Sequence, residues 1–285
     1  MPKPNIFTNY IAVVVGACIG VGPAASLARA EDKPLWEFGA GATVLSFPDY
    51  RGSNQTRTYV LPIPYIVYRG DIFKADRDGV RGVFVDSDNV EINASAGASF
   101  PVDSADNDAR SGMPNLAPTI ELGPAVDIVV WRSAIPGTKL TVRLPVRAGI
   151  TVERSPEYIG WQFSPKLNLD ISDIGGLPDW TLGLVVSPIY GDRRFHSYFY
   201  SVSAQYATAG RPAYQAKGGF AGTEFLAALW KRYPRVWVGA FVRYDMLAGA
   251  VFNDSPLVNS RGYFAAGIAA AWIFGESSQR VHVRD

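Results

Sequence analysis

Residues 139–153 read KLTVRLPVRAGITVE, and they sort by parity. Leu140, Val142, Leu144, Val146, Ala148, Ile150 and Val152 fall on one parity. Lys139, Thr141, Arg143, Arg147, Thr151 and Glu153 fall on the other, with Pro145 and Gly149 among them. Side chains alternate across a strand, so this is a ribbon with one apolar and one charged face. A helix would scatter the same residues around its circumference. A soluble sandwich and a membrane barrel share this local pattern, so the rest of the chain has to decide between them.

The pattern recurs. Val90, Ile92, Ala94, Ala96, Ala98 and Phe100 oppose Glu91, Asn93, Ser95, Gly97 and Ser99. Residues 119–131 and 161–172 repeat it, 180–191 and 236–245 do so less cleanly, and 263–274 is small and apolar on both faces. These segments exceed the ~5–6 residues of ordinary strands and suit transmembrane β-strands, which need ~9–11. With 14 Tyr, 15 Phe, 7 Trp and 28 Gly, the composition favours strands and turns. A net charge of +1 gives no support to a nucleic-acid partner, which would call for a basic patch. Beyond the first thirty residues, no apolar run reaches the ~18 of a membrane-spanning helix.

Residues 1–30 read as a secretory signal peptide: Lys3, an apolar core from Ile11 to Val21, and Ala28-Arg29-Ala30 as a small-x-small cleavage site. The exported chain is then expected to start at Glu31. Cys18, the one cysteine, lies within this segment. Val15-Gly16-Ala17-Cys18 faintly resembles a lipoprotein box, but its use would leave only a stub of apolar core. A small apolar residue is the preferred reading, which leaves the exported part without disulfides.

Long links are expected at 46–56, 102–116, 193–217 and 248–260, with a shorter one near 155–157. Short turns are expected at 69–71, 86–89, 132–136, 173–178 and 231–234. Outer-membrane barrels alternate loops and turns in this way. The resulting strands lie near 35–45, 57–68, 71–76, 79–86, 90–101, 117–131, 138–152, 159–173, 178–191, 218–231, 235–247 and 260–274. The fold expected is all-β, a transmembrane antiparallel up-and-down β-barrel over 31–274, followed by a polar C-terminal tail, 275–285. It has twelve strands, or ten if the short third hairpin, with Asp78-Gly79 at its tip, merges into its neighbours. Pro62, Pro64, Pro124, Pro145, Pro165 and Pro188 fall inside strands, where each removes a ladder donor. Pro62 and Pro64 lose donors toward the same neighbour. Bulges are the favoured way to absorb them, and a weakly paired seam at Leu61–Tyr65 is the other.

A Ser/His hydrolase reading has two histidines to draw on, His196 and His282. A cooperating serine on the same strand should sit two residues away. His196 instead has Ser197 beside it and Tyr198 at that position, so a loop histidine is preferred and no enzyme is expected. The pairs Asp76/Asp78 and Asp86/Asp88 and the trio Asp103/Asp106/Asp108 lack a complete calcium-loop spacing. One cysteine and two histidines allow no zinc set. Gly39-Ala40-Gly41 lacks the third glycine and following helix of a phosphate loop. No catalytic, cofactor or metal residues are therefore expected. The remaining candidates are lumen-facing charges: Glu121, Asp127, Lys139, Arg143, Arg147, Lys166 and Asp170. Pairing across strands is the favoured reading, a path for anionic solutes the other.

Pro48-Asp49-Tyr50-Arg51-Gly52-Ser53 followed by Leu61-Pro62-Ile63-Pro64-Tyr65 resembles the start of the MipA/OmpV family of MltA-interacting outer-membrane proteins. Gly210-Arg211-Pro212-Ala213-Tyr214 and Asp254-Ser255-Pro256-Leu257-Val258 extend the resemblance over the rest of the chain. It implies a barrel in the cell outer membrane, in contact with its lipid. It also implies a non-enzymatic scaffold that brings a lytic transglycosylase together with a peptidoglycan synthase. Other members are described as porin-like, which makes a small-solute channel the alternative. Trp272 and Phe274, two apart, fit the terminal aromatic signal of such barrels, but here GESSQRVHVRD follows.

Overall fold

The computed structural model describes residues 32–76, 79–134 and 137–282. The segment read as a signal peptide and Asp78 lie outside them. The strands are β1 (Asp32–Pro34), β2 (Trp36–Pro48), β3 (Thr56–Arg69), β4 (Phe73–Asp76), β5 (Gly79–Asp86), β6 (Val90–Ser99), β7 (Thr119–Arg132) and β8 (Lys139–Thr151). Then follow β9 (Tyr158–Phe163), β10 (Lys166–Ser172), β11 (Trp180–Gly191), β12 (Gly219–Arg232), β13 (Val236–Met246), β14 (Gly262–Glu276) and β15 (Arg280–His282). One helix, α1 (Arg193–Tyr200), lies in the loop after β11.

Strands β2 to β14 form one antiparallel sheet. β9 and β10 are halves of a single strand broken at Ser164-Pro165, since both pair with β8 on one side and β11 on the other. Counted once, they leave twelve strands, and the β14–β2 ladder continues the ring. The protein is a closed twelve-stranded up-and-down barrel. Among the described residues no helix is long and apolar enough to cross a membrane.

The two faces are inverted relative to a soluble protein. Val60, Ile66, Phe84, Phe264 and Ile268 are exposed on the outside, while Asn93, Glu121, Asn168, Asp170 and Asp245 are buried within. That is the apolar-out, polar-in arrangement of a barrel whose solvent is lipid. Aromatic contacts mark two levels of the wall. Tyr158–Trp161, Phe163–Tyr190, Tyr190–Phe220 and Tyr244–Phe264 lie toward the loop end. Trp36–Phe38, Phe38–Phe274 and Tyr68–Phe73 lie toward the turn end. Along β14, Phe264 and Phe274 are ten residues apart, ~33 Å of strand. At the ~40° tilt of such barrels that is ~25 Å of height, the thickness of their apolar band.

The prolines are absorbed in several ways. Pro165 splits β9 from β10, Pro188 sits at a register shift against β12, and the β7–β8 ladder has no pairs at Gly123 and Pro124, while Pro145 stays in register opposite Ala125. Pro62 and Pro64 do not lie in bulges: β3 pairs with β2 without a register shift from Thr56 to Tyr68. The Arg69 N–H donates to the Leu35 carbonyl, which puts the odd-numbered backbone groups of β3 on the β2 side. Pro62 and Pro64 therefore face the other edge, where, among the described residues, β3 pairs only through Tyr68 and Arg69 with the four-residue β4. An edge with no ladder loses nothing to a missing donor.

The described chain beyond Phe274, to His282, is tied down. β14 continues to Glu276, the Ser277 N–H donates to the Trp36 carbonyl, and β15 pairs with β1.

Candidate functional site

Four loops fold over one end of the barrel and share an apolar core. Tyr50 comes from the β2–β3 loop and Val102 and Leu116 from the β6–β7 loop. Tyr200, Val202 and Ala216 come from the β11–β12 loop, and Leu247, Phe252 and Leu257 from the β13–β14 loop. Leu247, Phe252 and Leu257 are 0% exposed, and each such burial is worth ~1.5–3 kcal/mol. Tyr200 stacks on Phe252 at 3.7 Å. The Tyr50 hydroxyl donates to the Leu257 carbonyl (2.7 Å), and burial pushes its pKa up to about 12. Ser255 Oγ donates to the Tyr200 carbonyl (2.7 Å). Arg211 donates to the carbonyls of Ala109, Ser111 and Tyr206. Of the stretches that carry the family resemblance, 48–53, 210–214 and 254–258 reach this core, whereas 61–65 lies in β3 of the wall.

Beneath it, Arg51 reaches from its loop into the mouth. Its Nε donates to Asp245 Oδ1 (2.9 Å) and its Nη1 to the Ala221 carbonyl (2.9 Å). Asp245, fully buried on β13, also pairs with Arg243 Nε at 2.7 Å. One carboxylate thus ties a loop to the barrel wall through two guanidinium groups. Arg51 was not a candidate from the sequence, because a loop arginine carries no sign of where it docks. At the turn end, Glu37 on β2 pairs with Arg69 on β3 (2.7 Å) and with Arg232 on β12 (2.8 Å). β12 is not next to β2 in the ring, so this triad crosses the interior. Tyr65, Trp230 and Trp237 pack in the same region.

A cavity of about 760 Å³ lies between these two layers, within the range of small-molecule sites. Of the seven candidate charges, Glu121, Arg143, Arg147, Lys166 and Asp170 line it; Asp127 and Lys139 do not. Arg147 Nε donates to Ser95 Oγ (2.9 Å) and Glu121 accepts from Thr119 Oγ1 (2.7 Å). Asp170 accepts from Asn168 Nδ2 (3.0 Å), and Asp127 from Asn93 Nδ2 (3.3 Å). Across the ladders, Arg143 stands opposite both Asp127 and Lys166, and Lys139 opposite Asp170. Glu224 on β12 adds a carboxylate to the cavity wall, 3.8 Å from Arg243.

His196 is not in an irregular loop. It lies in α1, 2% exposed, with Nδ1 2.7 Å from the Lys217 carbonyl and its ring edge-on to Phe252. Burial holds its pKa below the ordinary histidine value. Its polar contact is thus a backbone carbonyl, as suits a packing residue. Asp103 caps a short 3₁₀ turn, and Asp106 lies 3.4 Å from Arg57. Among the described residues, no group of three or more acidic, histidine or cysteine side chains is placed to hold a metal ion.

The chain has a distant likeness to some solved structures. CdiB from Acinetobacter baumannii has 8% identity and a TM-score of 0.29, covering 84% of this chain and 60% of that one, so the chain spans under two thirds of its length. A mutant of the Rh. blastica porin has 11% identity and a TM-score of 0.15, covering 84% of this chain and 100% of that one. Among curated proteins none matches. The sequence itself matches the family described as MltA-interacting protein MipA over residues 40–274, nearly the whole barrel. The chain belongs to the MltA-interacting protein MipA family.

Proposed function

We propose that the protein is a plugged outer-membrane barrel that acts as a docking partner in peptidoglycan remodelling, without chemistry of its own. The observation that carries this is the loop core held by Arg51 and Asp245, which fills the mouth a solute would have to enter. The apolar band and the two aromatic levels support insertion in the outer membrane. With residues 1–30 serving as a cleaved signal peptide, the loops face outward and the turns face the periplasm, where murein enzymes work. The family description supports a lytic transglycosylase as one partner, and a peptidoglycan synthase completes the scaffold reading. On this reading Glu121, Asp127, Lys139, Arg143, Arg147, Lys166 and Asp170 are a structural network of the lumen and not a permeation path.

Two measurements test the reading. Crosslinking in native membranes followed by purification is expected to recover a murein-cleaving enzyme, and recovery of none counts against docking. Planar-bilayer recording is expected to show no stable open steps. Stable steps would favour the small-solute channel, for which the charged 760 Å³ cavity is the supporting observation.

A further inference from the structure

The barrel wall is not equally tall all round. β3 and β6 have 14 and 10 residues, but the hairpin between them has only 4 in β4 and 8 in β5. Among the described residues, pairing from β3 stops at Tyr68 and pairing from β6 stops at Ala94, so β3 from Thr56 to Val67 and β6 beyond Ala94 have no described strand partner on their facing edges. The space between them is closed above. Asn107 Nδ2 donates to Asp49 (2.7 Å), Gln55 Oε1 accepts from the Asp108 N–H (2.6 Å), and Arg57 bonds to Asp106. These contacts fasten the β6–β7 loop to the β2–β3 loop across the gap. The result is a window in the wall, bounded below by the described parts of β4 and β5.

Three observations give the window a chemistry. It opens at the level of the apolar band, flanked on β3 by Val60 and Ile66, 72% and 61% exposed. On its inner side the rings of Phe47, Tyr59 and Phe100 pack at 4.9–5.2 Å, bringing β3 into contact with the end of β6. The lumen cavity also reaches Ala96 and Ala98, which stand on the outward parity of β6, together with Phe100. Unpaired strand edges are costly in hydrocarbon and invite another strand. Pro62 and Pro64 place their donor-less nitrogens on this edge. That lowers the cost of exposing it and spoils it as a template for a strand from a partner protein.

We propose that the window between β3 and β6 is a lateral portal through which an acyl chain of an outer-leaflet lipid enters the lumen and packs against Phe47, Tyr59 and Phe100. This rests on the barrel lying in a bilayer and is independent of its docking role.

The test is photocrosslinking of the full-length protein in vesicles of outer-membrane lipid. Benzoylphenylalanine is placed singly at Tyr59, at Phe100, at the inward-facing Phe241 on the intact wall, and at the lipid-facing Phe264. Heat-modifiable gel mobility establishes folding of each variant. Positions 59 and 100 are expected to label lipid several-fold more than position 241 and to approach position 264. Labelling at 59 and 100 no greater than at 241 overturns the portal. Absence of labelling at 264 as well shows that the barrel is not in lipid, and the portal falls with the membrane reading. As a second measurement, Phe100→Ala removes a ring from the window and is expected to raise labelling at 59; an unchanged or lower yield counts against acyl-chain entry.

Discussion

Asp245 ties the loop end to the barrel wall. It is fully buried and faces Arg51 and Arg243 at 2.9 and 2.7 Å. Removing its charge leaves two guanidinium groups facing each other with only Glu224, 3.8 Å from Arg243, as a nearby carboxylate, and breaking such a buried pair typically costs ~3–5 kcal/mol. Asp245→Asn is therefore expected to lower the urea midpoint of the barrel and to make the loop end susceptible to protease. Arg51→Ala is expected to cost less, because Arg51 retains some solvent contact. His196 gives a pH dependence. Burial holds its folded-state pKa below the ordinary value of 6.5, so the unfolded state binds the proton first. Stability is then full above that value and falls as the pH drops below it, until the folded-state pKa is passed. The slope is at most ~1.4 kcal/mol per pH unit for one proton. Proteolysis of the β11–β12 loop is expected to accelerate on acidification below about pH 6.5, and His196→Gln is expected to flatten that response.

At the scale of the elements, the β14–β2 ladder closes the ring, and its tightest point is Gly41. A Cβ there would lie 2.0 Å from the Ala270 carbonyl oxygen, and one at Gly82 would meet nothing within 4 Å. Gly41→Val is expected to abolish the heat-modifiable mobility of the closed barrel, whereas Gly82→Ala is expected to keep it. The strands themselves were legible, because their alternation is a local property of the chain. Expected bounds of 138–152 and 260–274 compare with Lys139–Thr151 and Gly262–Glu276. Helix α1 was not legible: residues 193–200 read as loop, since their helix depends on the Asp192 cap to the Phe195 N–H and on packing against other loops. The role of Pro62 and Pro64 was likewise hidden, because the sequence does not show that the next strand is too short to need their donors.

For the whole molecule, the loop core and the Glu37–Arg69–Arg232 triad fill the two ends of a barrel already narrower than the 16–18-stranded open porins. If the loop core is the barrier, the double variant Arg51→Ala/Asp245→Ala should bring conductance steps absent from the parent, provided its heat-modifiable mobility is kept. Unchanged silence in a folded double variant would place the barrier at the turn-end triad instead.

The alternating parity of 139–153 and its repeats, with the alternation of loop lengths, determined the all-β barrel class and narrowed the strand count to twelve or ten, since both patterns are written into consecutive residues. The folded sheet decided for twelve. Tertiary structure alone decided which residues work together. Arg51 and Asp245 are 194 positions apart, the four loops of the plug span residues 49 to 261, and the window exists only because β3 and β6 are brought to either side of a short hairpin. Such contacts depend on how the sheet closes, and ring closure brings together residues whose sequence neighbours carry no trace of the meeting.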